Sequence, residues 1–141
     1  MEKANPTRLL LVEDNPGDAR LIQELLAEAP APGFQVEWRW SLETSLKDLW
    51  KVPLDLVLLD LSLPDAHGLE AFRRISEETV SLPVVVLTGL DNRELARKAM
   101  AEGAQDFLPK HDLSPEVLHR AIDYAIERHD RESALRESEA L

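Results

Sequence analysis

The chain has no cysteine, so neither a disulfide frame nor a thiolate metal site can be built from it, a composition that suits a reducing compartment. Basic residues are scarce: 16 lysines and arginines stand against 27 aspartates and glutamates, a formal net charge of -11. A surface of that sign repels the phosphate backbone that a nucleic-acid binder has to neutralise, which argues against DNA or RNA as a direct partner. No apolar run approaches the roughly 18 residues of a membrane span, and the polar residues 1–8 lack the apolar core of a signal peptide. Also missing is a glycine fingerprint at residues 13–18, where a dinucleotide or flavin site would need one. The expectation is a soluble, cytoplasmic protein with no membrane partner. Of its 141 residues 44% are hydrophobic, enough to bury one continuous core in one domain.

Apolar runs alternate with helical patterns along the whole chain. Residues 9–12 are apolar and stop at Glu13, Asp14, Asn15, Pro16 and Gly17, the pattern of a buried strand ending in a polar loop. From Asp18 on, Ala19, Ile22, Leu25, Leu26 and Ala29 recur at helical spacing until Pro30 and Pro32 end it. Phe34, Val36, Trp38 and Trp40 alternate with polar residues, as in an edge strand with one buried face. Ser41 can cap a second helix carrying Leu42, Leu46, Leu49 and Trp50. Leu54, Leu56, Val57, Leu58 and Leu59 make an almost wholly apolar stretch that reads as a strand covered on both faces, and it ends on Asp60. After a turn around Pro64 and Gly68, Leu69, Phe72 and Ile75 mark a third helix, and residues 82–87 make a fourth strand ending at Thr88 and Gly89.

Asp91 and Glu94 are spaced for a capping box on a helix running through Met100, with Gly103 where a left-handed C-terminal cap is wanted. Residues 105–108 form a short fifth strand, and Ser114 and Pro115 stand as cap and first position of a last helix bearing Val117, Leu118, Ala121, Ile122, Ala125 and Ile126. Beyond it, residues 127–141 are dominated by charges and helix formers, the composition of a solvated helical extension. Trp38, Trp40 and Trp50 are expected in or beside the core. His67, His111, His119 and His129 are too scattered for a metal cluster and are expected at the surface, and Arg93, Arg97 and Lys98 are read as balancing nearby carboxylates. Five strands alternating with five helices imply an α/β fold with a doubly wound parallel sheet, whose ligands bind beyond the carboxyl ends of the strands.

Those strand ends carry the chemistry: Glu13 and Asp14, Asp60, Thr88, and Lys110 just past the fifth strand. Three carboxylates gathered there raise one another's pKa and call for a compensating cation. Magnesium fits, because it accepts few carboxylates and completes its octahedron with waters or a phosphate oxygen. A carboxylate such as Asp60 can attack phosphorus, Lys110 offers a point charge to phosphoryl oxygens, and the Thr88 hydroxyl can donate to one of them beside the space left by Gly89. Taken singly, Asp60 reads equally as a helix cap and Lys110 as a solvated charge; their convergence is what is specific.

This set of strand ends resembles the response-regulator receiver domain of two-component signalling, over roughly residues 7–126. The resemblance implies a flavodoxin-like sheet in the order 2-1-3-4-5 and an acidic pair that binds magnesium, Asp14 directly and Glu13 mainly through water. It further implies phosphorylation of Asp60, a metal ligand in the backbone carbonyl of Ser62, and a switch coupling Thr88 to Phe107. An aromatic in a short strand serves equally well as a core residue, so Phe107 carries both readings. The pattern departs from the family in two places. The acidic pair is Glu-Asp where Asp-Asp is commoner, and His111 follows Lys110 where a proline is usual, so the loop from Pro109 to Leu113 need not share the family's cis peptide.

The implied partners are a sensor histidine kinase or phosphotransfer protein, with a downstream output module or a second copy in a homodimer. Residues 1–126 would be the receiver, and 127–141 a helical extension like the linkers that precede output modules. Ser62 and Leu90 flank the site and are expected to tune the access of water. The implied role is that of a phospho-acceptor assisting its own phosphorylation and dephosphorylation rather than an enzyme. Two other functions compete. One is a docking or dimerisation module indifferent to phosphorylation. The other is a magnesium phosphatase of the haloacid dehalogenase type, which wants a second aspartate where Ser62 stands.

Overall fold

The structure is a computed structural model that describes residues 5–79 and 81–140. The polar residues before Asn5 and the terminal Leu141 lie outside that range. Five strands, β1 (Thr7–Val12), β2 (Phe34–Arg39), β3 (Leu56–Asp60), β4 (Val84–Thr88) and β5 (Asp106–Pro109), alternate with five helices. The helices are α1 (Pro16–Ala27), α2 (Leu42–Asp48), α3 (Glu70–Glu78), α4 (Arg93–Ala101) and α5 (Pro115–Ala140). All strand pairs are parallel and the sheet order is β2-β1-β3-β4-β5, the flavodoxin-like arrangement that the receiver resemblance implies.

The uniformly apolar strands divide their side chains between two cores. Leu10, Val12, Val57, Leu59, Val84 and Val86 pack with Phe72, Ile75, Ala96 and Ala99 from α3 and α4. Their neighbours Leu9, Leu11, Leu56, Leu58, Val85 and Leu87 pack with Ala19, Ile22, Leu118 and Ile122 from α1 and α5. Strict alternation within a continuous apolar run is what a parallel sheet covered on both faces requires.

Local chemistry sets the ends of the elements. α1 starts at Pro16 rather than Asp18, because Asn15 is the cap, its Oδ1 accepting from the Asp18 N–H at 3.1 Å, and proline suits the first helical position. Ser41 caps α2 as expected, its hydroxyl accepting from the Thr44 N–H at 3.1 Å. Ser114 likewise accepts from the Val117 N–H at 3.2 Å, and Gly103 follows α4 at φ +118°, where an L side chain would be strained. The capping box at Asp91 and Glu94 does not form. Asp91 lies in a single 3-10 turn, Leu90–Asn92, and the cap residue Asn92 turns its amide to the Ser62 hydroxyl at 2.6 Å instead.

Two further expectations are corrected. Trp40 and Trp50 are exposed, and Trp38 is 37% exposed on the edge strand β2, where only one neighbouring strand is present to cover it. His129 is buried rather than solvated. The extension beyond residue 126 is a direct continuation of α5 and is anchored in its first turns: Arg128 donates to the Gln105 carbonyl at 2.9 Å, and Glu132 accepts from the Gln105 amide at 3.0 Å. No described helix is long and apolar enough to cross a membrane.

One long-range tie holds the loop after β3 over the start of α2. The backbone N–H groups of Leu42 and Glu43 donate to the two carboxylate oxygens of Asp65, each at 3.0 Å. Burial pulls the Asp65 carboxyl upward, but these two bonds outweigh it and hold the group below the ordinary 3.8. Asp65→Ala is therefore expected to lower stability by about 1 kcal/mol at neutral pH. With the folded value below the unfolded one, this contribution is complete above 3.8 and disappears as pH falls through the lower folded value. Urea unfolding of both proteins at neutral pH and at progressively acidic pH checks it: the gap between them should close on acidification, and a constant gap would disprove the charge-assisted tie.

Candidate functional site

Sheet register brings the chemistry together. Val12 pairs with Leu59, so the next residues, Glu13 and Asp60, emerge side by side from adjacent central strands. Asp60 in turn pairs with Leu87, and Thr88 with Pro109, which places Thr88 and Lys110 at the same edge. By the alternation of each strand, Glu13 and Asp60 continue the faces of Leu11 and Leu58, the side of the sheet covered by α1 and α5.

Carboxylate oxygens of Glu13, Asp14 and Asp60 lie within 4.8 Å of one another. Glu13 is 0% and Asp60 1% exposed. Lys110 enters this pocket from just past β5, its Nζ donating to Glu13 Oε1 at 3.0 Å and to Asp18 Oδ2 at 2.9 Å, with Asp60 Oδ2 at 3.5 Å. Asp60 Oδ1 accepts from the Ser62 N–H at 3.1 Å, whereas Asp60 Oδ2 is buried with no hydrogen-bond donor, only the lysine charge beyond it. The second Glu13 oxygen accepts from the Asn15 N–H at 3.2 Å, and the Glu13 carbonyl accepts from the Trp38 indole N–H at 2.7 Å.

The electrostatics follow from that crowding. Burial first, then the adjacent Asp60 carboxylate with its negative charge, push the Glu13 carboxyl up to about 8 against the opposing pull of Lys110. For Lys110, burial favours the neutral amine, but the bonds to Asp18 and Glu13 and the charges of Asp60 and Glu13 prevail and hold its pKa above the ordinary range. The lysine is thus firmly an ammonium, and the pocket around it is rich in acid and short of positive charge.

Glu13, Asp14, Asp60, Ser62, Thr88 and Lys110 stand at this edge in different postures, whereas Phe107 lies within β5, paired with Val86. The Thr88 hydroxyl donates to the Leu108 carbonyl of β5 at 3.3 Å, and Phe107, adjacent on that strand, is 37% exposed rather than packed in the core. Ser62 is held beside Asp60 through its backbone and bonded through its side chain to Asn92. A Cβ at Gly89 would meet nothing within 4 Å, in keeping with open space there. The side chain of Leu90 lies outside what is described. Among the described residues the one cis peptide is Ala31-Pro32, so the bond after Lys110 is trans. Sequence reasoning missed Asp18 and Trp38: one looked like an ordinary acidic residue in a first helical turn, the other like a core tryptophan.

A family model for the response regulator receiver domain matches residues 9–123. The cell cycle transcriptional regulator CtrA of Caulobacter vibrioides is 32% identical over 114 residues, 80% of this chain and 48% of that protein. The transcriptional regulatory protein BasR of Escherichia coli is 32% identical over 125 residues, 89% of this chain and 54% of BasR. The chain spans about half the length of these relatives. Among solved structures, a receiver domain protein from Clostridium thermocellum superposes with a TM-score of 0.76 at 28% identity, covering 88% of this chain and 97% of that one. Full-length FixJ from B. japonicum shares the fold, with a TM-score of 0.80 over 93% of this chain and 63% of its own. Receiver domains bind magnesium at an acidic pocket and act in signalling with histidine kinases and output domains, rather than as enzymes of the usual kind. With that match across most of its length, and with its strand-end acids and lysine gathered at one edge of the sheet, the chain belongs to the response regulator receiver domain family.

Proposed function

We propose that this receiver is a phospho-accepting switch in which Asp60 takes a phosphoryl group from a histidine kinase or phosphotransfer protein, in the cytoplasm and in the presence of magnesium. One observation carries the reading: Asp60 Oδ2 is buried, receives no hydrogen bond, and faces the Lys110 ammonium at 3.5 Å beside two more acids. A carboxylate oxygen without a donor is costly to bury and is chemically available.

The donor set suits a hard divalent cation. Glu13, Asp14, Asp60 and the backbone carbonyl of Ser62 would hold magnesium, which would supply charge to offset the acids and the incoming phosphate. The protein's own groups do the rest. An Asp60 oxygen forms the new P–O bond as the P–N bond of phosphohistidine breaks, and the electron pair of that bond leaves with the imidazole nitrogen. Lys110 neutralises a phosphoryl oxygen, and Thr88 can donate its hydroxyl proton to another, giving up the Leu108 carbonyl to do so. That exchange frees a carbonyl of β5 next to Phe107, which is how the surface formed by α4, β5 and α5 would change. We assign residues 127–141 as a helical linker from the receiver, which ends near residue 126, toward an output module.

Incubation with acetyl phosphate and magnesium should add one phosphoryl group by intact-mass measurement. Asp60→Asn should remove it, and equal labelling of that variant would refute the assignment. Lys110→Ala should slow labelling about tenfold or more while leaving the fold intact by circular dichroism, since it deletes one charge at the reacting oxygens.

Magnesium should also stabilise the chain without any phosphate present. At ten times its dissociation constant, mass action predicts about 1.4 kcal/mol in urea unfolding. Chelation should abolish the gain and Asp14→Asn should largely remove it; a gain retained in Asp14→Asn would place the cation elsewhere.

A further inference from the structure

The site lysine is held by a carboxylate that the proposed chemistry does not use. Asp18 belongs to α1, in its first turn, and stands outside the trio of acids that converge on one another. It nevertheless makes the shorter of the two lysine hydrogen bonds, 2.9 Å against 3.0 Å for Glu13. An ammonium has three N–H donors. Two are committed to Glu13 and Asp18, and Asp60 is left with the long contact of 3.5 Å.

The two acids differ in how readily they can let go. Glu13 is fully buried, its carboxylate bonded by Lys110 and by the Asn15 N–H at 3.2 Å, with no exposed surface through which water could replace the lysine. The Asp18 side chain is 39% exposed, so water can replace the lysine as its partner. Its backbone, by contrast, is pinned, because the Asp18 N–H donates to the Asn15 cap, which keeps the carboxylate within reach of Lys110. A phosphoryl group on Asp60 brings about two negative charges and strong acceptor oxygens, and these compete with Asp18 for the same N–H groups. The charge of Asp18, on the more open side of the lysine, also repels a dianionic donor as it arrives.

We infer that Asp18 is a positioning residue acting through Lys110: it holds the ammonium in the resting site, yields it when a phosphoryl group arrives, and thereby weakens the site's hold on phosphate-like ligands. This inference rests on the phospho-acceptor reading of Asp60. The consequence is directional. Removing the charge of Asp18 should tighten the binding of the phosphoryl donor rather than speed the bond-making step, because the groups that touch the reacting atoms are unchanged.

The test uses the full chain at saturating magnesium. Beryllofluoride is titrated into wild type, Asp18→Asn and Asp18→Glu, with tryptophan fluorescence as readout, since Trp38 bonds the Glu13 carbonyl directly. Initial rates of labelling by acetyl phosphate are then measured against donor concentration. In Asp18→Asn, which keeps the side-chain shape, the half-saturating concentration of both ligands should fall roughly fivefold. The maximal labelling rate should stay within about twofold, and Asp18→Glu should remain close to wild type. An unchanged or raised half-saturation in Asp18→Asn, or a loss confined to the maximal rate, would overturn the inference. Wild type that neither binds beryllofluoride nor becomes labelled would instead sink the phospho-acceptor reading itself, so the two failures are distinguishable.

Discussion

The repulsion among acids at the carboxyl edge of the sheet governs how the rest of the molecule is arranged. Two like charges separated by the 4.8 Å that bounds this cluster repel by about 3 to 4 kcal/mol at an effective dielectric of about 20. Lys110 is the one cation the described structure sets against Glu13, Asp18 and Asp60. Its single charge cannot balance them: burial first and the Asp60 charge second raise the Glu13 carboxyl in spite of the lysine, and one Asp60 oxygen is left without a donor. An arrangement with this cost persists because the strands on which it is built are fully buried and fixed in register by two cores. Glu13 and Asp60 cannot separate without breaking the pairing of β1 with β3.

That dependence explains which parts of the protein are legible in its sequence. The alternation of buried strand and amphipathic helix is repeated five times, and each repetition constrains the next, so the parallel sheet and its polar strand ends can be read from period and punctuation, while the strand order followed from the family resemblance. Element ends are decided by single side chains, and those can be outbid. Asn15 caps α1 ahead of Asp18, and Asn92 leaves its capping role to bond Ser62, because that hydroxyl belongs to a loop brought close only by the fold. The Trp38 indole N–H finds its acceptor 25 residues away in sequence. His129 looks like one polar residue among many, yet it sits where α5 is drawn against the entrance to β5 by Arg128 and Gln105. Asp18 eluded the sequence for the same reason: its partner is 92 residues distant.

The same hydrogen bonds that escape sequence reasoning connect the acidic pocket to α4 and β5, part of the surface proposed to change on phosphorylation. Two leave directly from residues of the site. Ser62, whose N–H holds Asp60, accepts from Asn92 at the start of α4, and Thr88 donates to Leu108 in β5. Both connections are single hydrogen bonds, each worth only about 1 kcal/mol net, so either can be exchanged for a stronger, charge-assisted bond to a phosphoryl oxygen without unfolding anything. Beside them stands a stiffer element, because a one-residue slip in strand register would turn each strand's side chains toward the opposite core.

On the proposed reading, a phosphoryl group at Asp60 therefore acts on the weak links and leaves the scaffold alone. Thr88 and Lys110 are the groups with something to release: the hydroxyl gives up a β5 carbonyl, and the ammonium gives up Asp18 on α1. One release points toward β5, the other toward α1. The helix that continues past residue 126 is tied to Gln105, immediately before β5, by both Arg128 and Glu132. A shift of β5 would thus be felt along that helix through Gln105, and a shift of α1 reaches the same helix nearer its start, where the His119 ring bonds the Leu25 carbonyl at 3.1 Å. The charge balance at Lys110 and the posture of Thr88 accordingly bear on the same helix by two routes, one through α1 and one through β5, and a double-mutant comparison of the two is what would apportion them.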